Sequence, residues 1–402
     1  MNNSFIKLFL VFILFFEAFF AYSQDYVHQV VILNEGYFDY SLNQSVIPPT
    51  IGFYDPSTQT YTTIDTLNSA RFASDLIIDD NYFYVAADNM IYKYDKNSHN
   101  LITSQQVDGV RNIAVWNDKM IVTRGDYDNI TFSPIFFSSY VQIYNLSDLS
   151  LFLEIDTMTG PKWATQNVII DNDKAYVAIN NAYEWGNEKG LIGVLDLNTF
   201  MYIDEIDLGP EGINPDNMMM KDEKIYTINN KDWSGSSISQ VSLLSGAVST
   251  ISLAAAPTGC GTSCLRGNKI NYQISGDSIL NEWDIDLLPN NGVPLSVNQF
   301  FYTLSHDSIN NLLYGSVTDY VSTGFVYIYD SDDNLVFDFS CGVAPGKIAF
   351  DMRSFNTGIS SFSSSSSNNP AVPYDLIGRK LNAGNCLNMM YINDNQLFYK
   401  TQ

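Results

Sequence analysis

One unit recurs along this chain at intervals of some 40 to 50 residues, and it leaves few folds open. Each copy has an apolar run ending in a polar turn, an apolar-aromatic run, a run closing in Tyr-Asp or its equivalent, and a fourth extended run. Residues 74–79, 82–86, 90–95 and 101–103 make one copy. Residues 110–115, 120–123 and 141–145 begin the next, 166–170, 175–178 and 192–196 a third, and 216–220, 224–228 and 238–241 a fourth. A weaker copy spans 260–288 and a further one 300–338. The runs alternate with a period of two, and Asp, Asn and Gly punctuate them. Four short strands repeated at this spacing are the signature of β-propeller blades.

The two ends supply the closure. Residues 30–33, 50–55 and 61–64 are three strands lacking a first, and residues 342–350 are a first strand lacking the other three. Joined, they make one blade shared between the termini. With six full units, the fold class is an all-β, seven-bladed propeller over residues 24–356. Closing the ring in this way removes the open sheet edges that invite aggregation.

The remaining segments read differently. Lys7, the apolar run 8–16 and the small-x-small site Ala21-Tyr22-Ser23 describe a secretory signal peptide over residues 1–23, cleaved near Ser23. The run is short for a membrane span of ~20 residues and is interrupted by Glu17, so a transmembrane anchor is the weaker reading. Residues 357–369 form a Ser/Asn-rich linker, and a small segment follows over 370–402. Lys plus Arg is 20 against 44 Asp plus Glu, a net charge of −24. That balance excludes nucleic acid as a partner, because such binding rests on basic residues neutralising phosphates.

Propeller topology sorts the loops. Connections from the second strand (b) to the third (c), and from the fourth (d) to the next blade's first (a), share one face. Here the a–b turns are terse, whereas most b–c loops are long and aromatic. Candidate ligand-binding residues are therefore Glu35 and Tyr37 in blade 1, Arg124, Asp126 and Tyr127 in blade 3, Tyr183 and Trp185 in blade 4, Trp233 in blade 5 and Tyr320 in blade 7. Exposed rings beside acids and amides suit a planar or polyhydroxylated small molecule, a glycan or a protein surface. No cofactor follows from the residues.

Most catalytic readings fail on residue inventory. The three histidines are placed before the first strand (His28), in a c–d turn (His99) and in an a–b turn (His306), so no pair makes a metal site or a triad. A carboxylate-pair hydrolase or lyase using Glu35, Asp126, Glu184, Asp232 or Asp319 stays open as an alternative to non-catalytic binding. Asp330-Ser331-Asp332-Asp333-Asn334 starts like a calcium loop but lacks its Gly and distal Glu, and fits a c–d turn. In an oxidising exterior, Cys260-Gly-Thr-Ser-Cys264 is a possible local disulfide.

Two resemblances add to this. Leu33-Asn34-Glu35-Gly36, Gly52-Phe53-Tyr54-Asp55-Pro56, Val110-Arg111-Asn112-Ile113-Ala114, Gly209-Pro210-Glu211-Gly212 and Gly342-Val343-Ala344-Pro345-Gly346 resemble the bacterial surface-layer-type seven-bladed propellers. That group includes Bacteroidetes surface proteins that capture cobalamin for an outer-membrane transporter, so the resemblance implies surface capture of cobalamin or a similar cofactor as one possible role. Those capture proteins are typically lipid-anchored, and no Cys follows the apolar run here. Tyr374-Asp375-Leu376-Ile377-Gly378-Arg379-Lys380-Leu381, followed by Met390-Tyr391-Ile392 and residues 397–400, is similar to the C-terminal sorting tail of the type IX secretion system. It implies that machinery as a partner of residues 370–402 and export to the cell surface or medium.

Overall fold

The computed structural model describes residues 25–287, 292–354, 389–393 and 396–400. They fall into two units: a ring over Asp25–Arg353, and a second unit that includes the C-terminal residues. In the second, Met389–Asn393 pairs antiparallel with Gln396–Lys400, in a register that sets Met390 opposite Tyr399. The segments expected as a leader (1–23), as a linker (357–369) and, for the most part, as a sorting tail (370–402) lie outside the described residues.

The ring holds seven four-stranded antiparallel sheets. Blade 1 takes its inner strand a from Pro345–Ser354 and its strands b, c and d from Asp25–Asn34, Thr50–Asp55 and Thr60–Thr66. The expected shared blade is therefore present. Blades 2 to 7 follow in chain order, their inner strands being Ala73–Ile78, Val110–Trp116, Thr165–Asp171, Pro215–Lys221, Thr258–Arg266 and Thr303–Asp307. The weak sixth copy is a full blade, but its fourth strand, Val293–Asn298, lies beyond the sequence-based limit.

The Tyr-Asp signature has a local cause. The acid ends strand c and caps the c–d turn. Asp55 Oδ1 accepts from Ser57 N at 2.8 Å, Asp95 Oδ1 from Ser98 N at 2.7 Å, and Asp196 Oδ1 from Thr199 N at 2.8 Å. The residue four beyond strand end then turns left-handed, as at Gln59, His99, Leu149 and Phe200. The a–b turns use Asn and Asp for a related reason: Asn117, Asn172 and Asp222 all hold positive φ, which these side chains tolerate best after glycine.

The core is divided. Each hydrophobic cluster joins two neighbouring blades. Leu33 and Phe53 of blade 1 pack on Leu76 and Phe83 of blade 2, and so on around to Tyr314 and Ile328 of blade 7 against Ile32 and Tyr54 of blade 1. Among the described residues there are seven such clusters, one per blade junction. No helix is long and apolar enough to cross a membrane among those residues.

Two histidines differ from expectation. His28 lies inside the first strand, and His306 is the penultimate residue of Thr303–Asp307 rather than part of the turn. His99 does sit in the c–d turn, its ring stacked on Phe53 at 4.0 Å. The Cys260–Cys264 disulfide is absent: both thiols are free. Four residues of extended strand separate Cα atoms by ~13 Å, beyond the ~7 Å reach of a disulfide. The bulge between Thr258 and Ser263 does not bring the thiols together; Cys264 enters the core with Leu280 and Leu304, while Cys260 lines the channel.

Candidate functional site: the mouth of the central channel

Each inner strand begins on the face carrying the b–c loops, so its first residues surround one end of the central channel. Ser74, Arg111, Gln166, Asp216, Cys260, Thr303 and Gly346 come one from each of the seven inner strands, and all line one cavity of about 490 Å3. That volume is within the ~300–1,000 Å3 range of small-molecule sites. The loops complete it: Glu35 follows strand b of blade 1, while Phe72 and Tyr302 precede inner strands.

Glu35 is fastened by its backbone. Its N–H donates to Ala344 O at 2.7 Å, and Gly36 N–H donates to Val343 O at 3.0 Å. Gly36 takes φ +78°, and a Cβ there would strike the backbone of Ile47 and Pro48. The carboxylate then lies against Gly346, where a Cβ would occupy the same space. Burial pushes Glu35 up to about 7, against the opposing pull of a Tyr302 hydroxyl bond and the Arg111 charge. Asp216 is likewise pushed up by burial to about 6, with Arg111, the Cys260 thiol and Gly261 N–H acting against it. The Asp216 charge and burial in turn hold the Cys260 thiol well above its ordinary range. Kept protonated, this thiol is the donor in its bond to Asp216.

Arg111 is the cation among them. Its guanidinium lies 5.7 Å from the Phe72 ring centroid and 5.4 Å from that of Tyr183. Nε donates to Gln166 Oε1 at 3.3 Å. Among the described residues it forms no ion pair. Burial opposes its charge, but Tyr183, Asp126 and Glu35 outweigh that and keep it firmly protonated.

The sequence-selected residues divide into three groups. Glu35 lines the channel, and Tyr183 touches it through Arg111. Tyr37, Asp126 and Tyr127 build a bridge beside it. The hairpin Tyr37–Asp39/Gln44–Ile47 and the hairpin Asp126–Tyr127/Pro134–Ile135 meet above blade 2, whose own b–c connection is two residues. Tyr127 donates to Tyr40 Oη at 2.8 Å and stacks on Tyr183 at 5.8 Å. Asp126 accepts from Arg71, whose guanidinium also grips Asp88. Arg124 is turned inward, donating to Asp108 O and Ser139 O and stacking over Phe137. It anchors the blade 3 loop.

The third group stands further out. Trp185 is 83% exposed and Trp233 37%. Tyr320 meets Tyr302 edge-on at 5.2 Å and borders a second cavity, between blades 6 and 7. Of the candidate acids, Glu184 is held by Asn181 and Asn187, while Asp232 and Asp319 bond Ser234 and Ser322 in their own turns. Arg111, Asp216 and Tyr302 were not among the candidates. One signal could have found the first two: they occupy the second position of their inner strands, as do Ser74, Gln166 and Gly346, and that position lines the channel in all five.

No family model matches this chain, and no curated protein matches it in sequence. Solved structures do. A hypothetical selenium-binding protein from Sulfolobus tokodaii is 11% identical, with 80% of this chain and 93% of that one aligned at a TM-score of 0.56. A putative 6-phosphogluconolactonase from Bacteroides fragilis is 11% identical over 80% and 98%, TM-score 0.55. The extracellular domain of a putative hybrid two-component system from B. thetaiotaomicron is 12% identical over 76% of this chain and 42% of that one, TM-score 0.53. At such identities the likeness shows the fold, and the fold is the seven-bladed β-propeller.

Proposed function

We propose that this protein is a non-catalytic binding protein that takes a small polar ligand into the mouth of its central channel, on the b–c face. One observation carries the reading: Arg111, set between two rings and with no carboxylate in direct contact, faces a cavity that also holds Glu35 and Asp216. Leaving buried charges unpaired costs stability, so such a group is retained where a ligand answers it. Many amide and hydroxyl groups line the same walls, which suits a hydroxyl-rich molecule.

The leader over residues 1–23 and the type IX-like tail over 370–402 support a role outside the cell, either released or attached to its surface. The cobalamin-capture role belongs to this proposal in a restricted form: a ligand of that size would lie across the bridge and the outer aromatics rather than within the channel. A hydrolase or lyase is the second reading, favoured by two carboxyl groups, Glu35 and Asp216, pushed toward neutrality in one cavity.

Thermal unfolding against a panel of glycans, organic acids and cobalamin tests the first reading. A ligand at a hundredfold over its Kd adds about 2.7 kcal/mol to the native state. The expected hit stabilises the wild type and loses its effect in Arg111→Gln. An anionic ligand that stabilises both proteins equally would remove the channel mouth as the site. Turnover of any hit, abolished in Glu35→Gln, would replace the binding reading by the enzymatic one.

A further inference from the structure

We infer that the ligand of this channel is a sugar acid or related hydroxy acid, whose carboxylate meets Arg111 and whose substituent extends into a second cavity between blades 6 and 7. The inference rests on the channel-mouth reading and names its ligand class.

Two consecutive residues of one inner strand set the pattern a ligand must match. Arg111 gives Nε to Gln166 Oε1 and feels Asp126 and Glu35 only at a distance, so its guanidinium has no carboxylate in direct contact. Asn112 is 6% exposed, and its Oδ1 is buried with no hydrogen-bond partner. Both line the cavity. An orphaned buried acceptor costs about 1–3 kcal/mol, so it calls for a donor. One molecule that answers both must carry an anionic acceptor and, close by, a hydroxyl donor. A carboxylate next to a ring of hydroxyls has that pattern. The planar guanidinium fork matches a carboxylate bidentately. Gln166, Asn167 and Asn217 also line this space, though Asn217 Nδ2 is engaged with Ser263 and Gln166 Oε1 with Arg111.

Glu35 and Asp216 are the charges a bound carboxylate would meet. Burial already drives both toward their neutral forms, in which each becomes a donor to the ligand. Near pH 7 Glu35, at about 7, is partly protonated and can donate, whereas Asp216, at about 6, becomes a donor only as pH falls through 6.

The second cavity, of about 380 Å3, shares Cys260 and Tyr302 with the channel mouth. Phe300 and Tyr320 stand on its wall, 58% and 57% exposed. Tyr320 is held at φ +67°, a strained conformation for an aromatic residue, fixed there by the Asp319 turn. Two exposed rings beside a polar channel fit a ligand with an aromatic or otherwise flat substituent on its acidic sugar.

Isothermal titration with four probes tests this: glucuronate, glucose, 4-nitrophenyl β-D-glucuronide and 4-nitrophenyl β-D-glucoside. The glucuronide should bind at least tenfold tighter than the glucoside. Arg111→Gln should erase that difference while leaving glucoside binding within about threefold, and Arg111→Lys should keep part of it. Asn112→Ala should weaken both by a similar factor. Phe300→Ala with Tyr320→Ala should remove the advantage of the nitrophenyl glucuronide over glucuronate. Equal affinity for the two nitrophenyl sugars, a preference that survives Arg111→Gln, or no binding of any probe would overturn the inference. Equal affinity for the two sugars, or no binding of any probe, would leave the channel-mouth reading to the wider panel, whereas a preference that survives Arg111→Gln would count against both.

Discussion

Two of the clusters of withdrawn charge in the ring are built on opposite terms. At the seam, Asp351 of the last strand is fully buried and bonds Lys96 Nζ at 3.1 Å, Arg353 Nη2 at 2.6 Å and Gln29 Nε2 at 3.2 Å. Gln29 belongs to the first strand and Lys96 to the c–d turn of blade 2, so one carboxylate ties together the two chain ends and the next blade. At the channel mouth, Glu35, Arg111 and Asp216 are set into the channel wall but form no ion pair with one another. Charges answered internally hold a fold together; charges left unanswered await something from outside. The contrast separates structural polarity from functional polarity within one molecule.

The largest loss is expected at the seam. Asp351→Ala would strand Lys96, whose side chain is 8% exposed, and release Gln29. Removing one partner of a buried pair costs about 3–5 kcal/mol. Denaturant unfolding should show that loss. Arg111→Gln, by contrast, should change stability by less than about 1 kcal/mol, since no carboxylate contacts Arg111 directly and the distant pull of Asp126 and Glu35 is largely offset by desolvation. Equal losses in the two variants would mean that the mouth is structural as well.

The pH dependence of stability sets the channel mouth apart from the turn acids. Glu35 at about 7 and Asp216 at about 6 bind protons more tightly in the folded chain than in the unfolded one. Stability from these two groups is complete below about pH 4 and is lost as pH rises through 6 to 7. A tenfold change in proton affinity corresponds to about 1.4 kcal/mol, so Glu35 contributes at most roughly 3 kcal/mol, and less because its side chain is only partly withdrawn from solvent. Glu35→Gln should flatten the decline between about pH 5 and 7 and leave the protein more stable at about pH 8. The turn acids behave in the opposite sense: Asp319, held at about 2 by Ser322 and neighbouring N–H groups, contributes stability present above about pH 4 and lost as pH falls through 2. A Glu35→Gln protein with an unchanged profile would refute the assignment.

Much of the ring was legible in the residues because each blade repeats the same local solutions. The acid that caps the c–d turn marks the end of strand c, and Asn or Asp at positive φ marks the a–b turn. Those demands are satisfied within a few residues and survive in sequence. The site was legible only in part. Glu35 stood out because it follows Asn34 in a loop. Arg111 and Asp216 sit inside runs that read as ordinary strands, and only closure of the ring turns their position toward an axis. Arg124 misled for the converse reason: it lies among loop residues, yet its donors are consumed by Asp108 O and Ser139 O. Cys260 and Cys264 are neighbours along the chain and both border the channel cavity, but Cys264 is also packed into the core of blades 6 and 7.

Gly346→Ala probes the mouth without touching a charge. The added methyl would meet the Glu35 carboxylate, the movable end of a side chain rather than backbone. Stability should therefore fall by no more than about 1 kcal/mol, at the low end of the ~1–3 typical of overpacking, while affinity for a channel ligand drops at least tenfold. Gly36→Ala should do the reverse and damage folding first, because its φ of +78° and the Ile47 carbonyl leave no room for a side chain. Retained affinity in Gly346→Ala would show that the Glu35 position does not matter to the ligand.

The smallest effects are expected at the outer aromatics, and they decide how far the site extends. Trp185 touches no ring partner among the described residues and stands 83% exposed, so Trp185→Ala should shift stability by less than about 0.5 kcal/mol and channel-ligand affinity by less than about twofold. Tyr183, two residues earlier, underlies Arg111. Its replacement by Leu keeps bulk but removes the ring face, and cation–π support of this kind is worth about 0.5–2 kcal/mol. A threefold to tenfold loss of affinity in Tyr183→Leu beside an unchanged Trp185→Ala would confine recognition to the channel mouth. Equal losses would extend it across the bridge to the outer loops, the arrangement that a larger ligand such as cobalamin requires.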